Sequence, residues 1–169
     1  MNNIILIGPM GAGKTTIGRQ IAKIFSYDFY DSDREIEERT GASIPLIFDL
    51  EGEEGFRKRE INVIANLCTK KHIVLATGGG AILKKENQDA LKRSGTIVYL
   101  SADIDDLLER TAKDKNRPLL QADNPKAILK KILIDREPIY SKLADIILIT
   151  NKMTVHTAVK ELESKLRNL

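Results

Sequence analysis

Residues 8–15 read Gly8-Pro9-Met10-Gly11-Ala12-Gly13-Lys14-Thr15, which fits the spacing G-x-x-x-x-G-K-[ST]. The four residues before them, Ile4-Ile5-Leu6-Ile7, are apolar and strand-like, and residues 15–25 read as a helix. A strand, this turn and then a helix form the context in which the pattern is a phosphate-binding loop. Its glycines let the backbone fold into a concavity whose N–H groups face phosphate oxygens, and the helix adds the positive end of its dipole. The reading places Gly11, Ala12, Gly13, Lys14, Thr15 and Thr16 around the phosphates of ATP. Lys14 then reaches the β and γ phosphates as a catalytic residue, and the Thr15 hydroxyl ligates Mg²⁺.

Outward from the loop, strand-like runs at 3–6, 28–30, 73–76, 96–100 and 146–149 alternate with helical stretches at 15–25, 33–40, 44–68, 84–93, 104–113, 126–143 and 155–166. That alternation predicts an α/β fold. Most of the strands are apolar without a polar face, as in a parallel sheet with helices on both faces. A length of 169 residues fits one domain over 1–169. The polar stretch 113–124, with Pro118, reads as a mobile lid over the site.

The same composition excludes several functions. Apolar runs stop at four residues, far short of the roughly 20 that a spanning helix needs, so no membrane is expected. The net charge is +3, and its basic residues lie in scattered doublets, which argues against nucleic acid. Cys68 is the single cysteine and His72 and His156 are isolated, so neither a disulfide nor a Cys/His metal site is available. The start, Met1-Asn2-Asn3, lacks the parts of a secretory signal, and a cytoplasmic protein is expected. Asn151-Lys152-Met153-Thr154 approaches the guanine-reading Asn-Lys-x-Asp, but Thr154 cannot supply the carboxylate, and a plain loop is the better reading.

Further residues suggest the second substrate. Asp31 and Asp33 flank Ser32 at the end of the second strand, where residues two apart face the same way, toward the sheet edge at which ligands bind. One carboxylate suits Mg²⁺ and the other a hydroxyl. Ser32-x-x-Glu35 is equally a helix-capping box. Arg57 stands three residues before Glu60 on a helix, which can pin it. Gly78, Gly79 and Gly80 follow the third strand and let a ligand approach bare backbone. Arg117 sits in the lid near Arg110, and Arg136 precedes a proline expected to kink its helix and turn it inward. Two arginines suited to a planar anion, with a carboxylate for a hydroxyl, imply a small hydroxylated carboxylic acid as acceptor.

These segments together resemble the shikimate kinase family over nearly the whole chain. The resemblance rests on GPMGAGKT from Gly8, DSD from Asp31, TGASIPLIFDLEGEEGFRKRE from Thr40, ATGGGA from Ala76, RPLL from Arg117 and REPIY from Arg136. It implies transfer of the ATP γ-phosphoryl to the 3-hydroxyl of shikimate, on the way to chorismate and the aromatic amino acids. It also implies a three-layer P-loop kinase sandwich with five parallel strands in the order 2-3-1-4-5, in a monomer, with an acceptor-binding region at about 33–61. By matching position, Asp33, Arg57, Gly79 and Arg136 would bind shikimate, both arginines on its carboxylate, with Phe48 and Phe56 walling the ring. Asp31 would stand in the outer shell of the metal, Arg117 would be the lid arginine and Arg110 would lie against adenine. Two positions depart from the family pattern: Thr15 stands where serine is common, and residues 151–155 lack the proline often found near adenine. Gluconate kinase and a non-catalytic nucleotide switch are the alternatives, and the triple glycine and paired arginines argue against them.

Overall fold

The computed structural model describes residues 2–112 and 123–169. In strand β1 (Asn3–Ile7) every residue is buried, and its side chains divide between two cores. Ile4 and Leu6 enter one apolar cluster and Ile5 and Ile7 the other. This is the period-2 geometry of a strand covered on both faces. β1 lies at the centre of a five-stranded, all-parallel sheet with β2 (Asp28–Asp31), β3 (Ile73–Ala76), β4 (Gly95–Ser101) and β5 (Ile146–Ile149). The order is β2-β3-β1-β4-β5.

Helices α1 (Lys14–Phe25) and α7 (Val155–Arg167) fill one face through Ile17, Ile21, Val159 and Leu162, joined by Leu107 of α5 (Ile104–Thr111). The other face is covered by α2 (Ser32–Thr40), α3 (Ile44–Leu67), α4 (Lys85–Ser94) and the later turns of α6 (Pro125–Leu143). Their buried residues there include Ile36, Ile64, Leu91 and Tyr140. The expected three-layer sandwich and strand order are both present. Strand order reverses at β1, between β3 and β4, so the carboxyl ends of the central strands open on a crevice suited to a ligand.

Several local expectations are corrected. α2 begins at Ser32, and its cap is Asp31, whose carboxylate accepts from the N–H groups of Asp33 (3.0 Å) and Arg34 (3.2 Å). Ser32 is therefore not the head of a capping box. Asp33 sits in the first turn of α2, so helix geometry, and not an extended strand, brings it beside Asp31. α3 is broken at Gly52, whose φ of 70° and ψ of −179° end one helix and admit a second, where one helical stretch over 44–68 was expected. α6 runs through Pro138 as one helical span. A short 3₁₀ turn, Ala81–Leu83, follows the triple glycine and was not expected. Of the expected lid over 113–124, residues 113–122, Arg117 among them, lie outside the described residues.

Candidate active site

The loop between β1 and α1 winds tightly because its glycines occupy positions closed to other residues. A Cβ on Gly8 would stand 2.5 Å from the Leu100 carbonyl oxygen, and Gly13 caps α1 at φ 94°. The Lys14 ammonium folds over the loop and donates to the carbonyls of Gly8 (2.7 Å) and Pro9 (2.8 Å). A cleft of about 420 Å³ opens above it. Its walls include residues 10–17, Asp31, Asp33, Thr77, Gly78 and Gly79, with Arg110 and Met153 at the far end.

The Thr15 hydroxyl donates to the second oxygen of Asp31 at 2.7 Å. One oxygen of Asp31 thus caps α2 and the other turns toward the phosphate loop. Two oxygen donors side by side suit Mg²⁺, which takes one or two protein oxygens and completes its shell with phosphate and water.

On the acceptor side, each of the three glycines lies against one charged side chain. A Cβ on Gly78 would be 2.6 Å from an oxygen of Asp33, and one on Gly80 would be 2.3 Å from Nη2 of Arg57. At Gly79 it would find 3.5 Å to Nη1 of Arg136 and 3.6 Å to both the Gly8 carbonyl oxygen and the Met10 nitrogen. The expected reason for the glycines was ligand access to backbone. At Gly78 and Gly80 the structure gives a different one, room for a carboxylate and a guanidinium, and only Gly79 has ordinary clearance. The Gly78 N–H is fixed by the Ser32 hydroxyl at 3.1 Å, a role of Ser32 that the sequence concealed behind the capping-box pattern.

Arg57 is 8% exposed and is pinned by Glu60, as its spacing suggests, with Nη1 donating to Oε1 at 2.7 Å. Glu53 receives Nη2 at 3.4 Å. Arg57 Nε and Glu60 Oε2 are buried and meet no hydrogen-bonding partner among the described residues, so this pair retains capacity for a polar ligand. Burial raises the Glu60 carboxyl from 4.5 to about 7, although the Arg57 guanidinium pulls it back down. The rings of Phe48 and Phe56 lie 4.8 Å apart, and the Arg57 guanidinium stands 5.2 Å from the Phe56 ring. Arg57 and Arg136 do not line the cleft itself; Arg136 stands beside Gly79, which does, and Arg57 stands against the next glycine, Gly80.

At the nucleotide end, Arg110 donates to the Thr150 carbonyl at 3.0 Å and to the Gly11 carbonyl at 3.4 Å, tying the phosphate loop to the end of β5. Residues 151–155, whose contacts the missing proline left open, do reach the cleft through Met153, Thr154 and Val155. The loop is braced without proline. Asn151 accepts from the Asp103 N–H at 2.7 Å, Asp106 accepts from the Lys152 N–H at 2.9 Å, and Lys152 takes φ 53°.

Comparison with known proteins agrees with this geometry. The family model described as shikimate kinase matches residues 10–167. A shikimate kinase of Nitrosococcus oceani is 53% identical over 165 residues, covering 98% of this chain and 87% of that protein. One of Pseudomonas syringae pv. tomato is 50% identical over 169 residues, covering 100% of this chain and 98% of that protein. Among solved structures, the Acinetobacter baumannii shikimate kinase in complex with shikimate superposes with a TM-score of 0.94 at 48% identity, over 99% of this chain and 94% of that one.

Proposed function

This chain belongs to the shikimate kinase family and phosphorylates shikimate at the expense of ATP in aromatic amino acid biosynthesis, and from that premise we propose the part each residue of the cleft plays. The backbone of residues 11–16 holds the ATP phosphates at the positive end of α1, and Lys14 leaves its loop carbonyls to neutralise charge on the transferring γ-phosphoryl group. Thr15 and Asp31 would hold Mg²⁺, which when bound draws charge from the phosphate oxygens. Arg110 and the main chain of residues 151–155 flank the adenine.

Asp33 accepts a hydrogen bond from the 3-hydroxyl of shikimate and either takes its proton or aims its lone pair at phosphorus. Arg57 and Arg136 grip the carboxylate, Gly79 lets the ring approach backbone, and Phe48 with Phe56 walls it. Arg117 enters from the lid. The protein acts as a cytoplasmic monomer without nucleic acid or membrane.

One observation carries this assignment. Asp33, Arg136 and Arg57 converge on three consecutive glycines, and the middle one stands beside the phosphate loop. A hydroxyl at one end and a carboxylate at the other are the groups that such a set selects. Asp33→Asn tests it. General-base assistance contributes about 10²–10⁴-fold, so kcat should fall within that range while ATP binding is retained. A normal kcat would remove Asp33 from the reaction. An ADP-release assay over shikimate, gluconate and nucleoside monophosphates should respond to shikimate alone, and turnover of gluconate would redirect the acceptor assignment.

A further inference from the structure

Tyr140 closes the REPIY segment, and the roles given above do not use it. Its side chain is 1% exposed, and its hydroxyl donates to the Gly79 carbonyl at 2.5 Å. The Arg136 guanidinium, from one helical turn earlier, reaches the same glycine, its Nη1 3.5 Å from where a Cβ on Gly79 would stand. The central glycine therefore meets both the Tyr140 hydroxyl and one of the arginines of the acceptor site.

The neighbours of Tyr140 hold it in place. Tyr99 of β4 stacks on its ring at 4.9 Å, with planes 23° apart, and sends its own hydroxyl to Glu137. Glu137 also accepts from Ser141 at 2.5 Å. The carboxylate next in sequence to Arg136 is thereby engaged away from it, and Arg136 is left to face Gly79. Burial pushes the Tyr140 hydroxyl up to about 12, so it remains a protonated donor at working pH.

Because a peptide group is planar, fixing the Gly79 carbonyl also fixes the direction of the Gly80 N–H. Gly79 lies against Gly8 and Met10 of the phosphate loop on one side and Arg136 on the other. We propose that Tyr140 is a positioning residue for the acceptor: its hydroxyl locks the Gly79–Gly80 peptide against which the Arg136 guanidinium stands. It thereby sets the distance between the acceptor's carboxylate grip and the phosphate loop. This inference rests on the assignment of Arg136 to the shikimate carboxylate.

The test titrates shikimate calorimetrically into Tyr140→Phe, Arg136→Lys and the double variant, with kcat and ATP affinity measured alongside. Phenylalanine keeps the ring and its stacking and removes only the hydroxyl. Loss of the hydrogen bond that fixes the buried Gly79 carbonyl predicts shikimate binding weaker by several-fold to about tenfold, with ATP affinity unchanged and kcat within about twofold. The double variant should bind no worse than Arg136→Lys alone, because both changes remove the same arrangement.

Normal shikimate binding by Tyr140→Phe, or losses that multiply in the double variant, would overturn the proposal. If Arg136→Lys itself binds shikimate normally, the carboxylate assignment falls and the Tyr140 proposal falls with it. A readout free of refolding concerns uses the unaltered protein labelled with ¹³C at tyrosine Cζ. Saturating shikimate should move the Tyr140 resonance more than that of Tyr99, and an unmoved Tyr140 resonance would equally overturn the proposal.

Discussion

The two halves of the cleft are built in opposite ways. The phosphate side is one contiguous turn, residues 8–16, whose recognition groups are mainly backbone N–H groups fixed by local dihedral angles and by the start of α1. The acceptor side takes Asp33 from α2, Arg57 from α3, three glycines after β3 and Arg136 from α6, residues brought together only by the finished fold. A contiguous loop can be swapped between folds as a unit. A pocket collected from four elements is specific because each contribution depends on the packing of the others.

If the halves are separable in this way, changes on each side should damage one ligand's handling and spare the other's. The largest effect is expected at Lys14→Met. Removing the cation nearest the transferring group should cost about 10³-fold or more in kcat. Shikimate binding without nucleotide should stay intact, and loss of that binding as well would show that the halves are not separate.

Gly80→Ala probes the other half. At φ −95° and ψ 3° alanine is allowed by the backbone, so the cost comes from its methyl group, 2.3 Å from the Arg57 guanidinium. The arginine must move. Displacing a charged hydrogen-bonding group costs roughly 1.5–3 kcal/mol, so shikimate affinity should fall by about tenfold to a hundredfold in calorimetry while the nucleotide binds as before. Unchanged shikimate affinity would mean that Arg57 can grip from a shifted position.

The smallest effect is on stability. Burial raises the folded pKa of Glu60 to about 7, above its ordinary 4.5, so the folded protein binds more protons than the unfolded chain between those values. Stability from this group is therefore greatest at low pH and is lost as pH rises toward 7. Glu60→Gln abolishes the slope, and melting temperatures from pH 5 to 8 should show the variant gaining on the parent protein as pH rises. A constant difference would indicate a Glu60 that titrates normally.

The same contrast governs what could be read from the sequence. The strands and the phosphate loop were legible because strand runs, helix periods and the loop pattern are local, whereas the strand order came from the family resemblance. Arg57 and Glu60 were legible as a pair because three residues make almost one helical turn. The break at Gly52 was not, since a glycine among helix-forming glutamates does not reveal its φ. Nor was the spatial reason for Gly78 and Gly80, which depends on Asp33 and Arg57 arriving from other elements. Ser32 looked like a cap because Asp31, which caps α2 in fact, is one residue away and of the same preference class. Tyr140 stood in plain view four residues after Arg136, but its partner, the Gly79 carbonyl, is 61 residues distant.

The central claim is that the acceptor pocket is a separate structure whose arginines read the carboxylate of shikimate. Arg57→Lys tests it most directly, since lysine keeps the charge and can still pair with Glu60, but cannot present the planar fork. Calorimetric titration of this variant with shikimate, and of the same preparation with Mg²⁺-ADP, should give shikimate affinity weakened by about tenfold or more and ADP affinity unaltered. Unaltered shikimate affinity, or a loss of ADP affinity in the same proportion, would contradict the account.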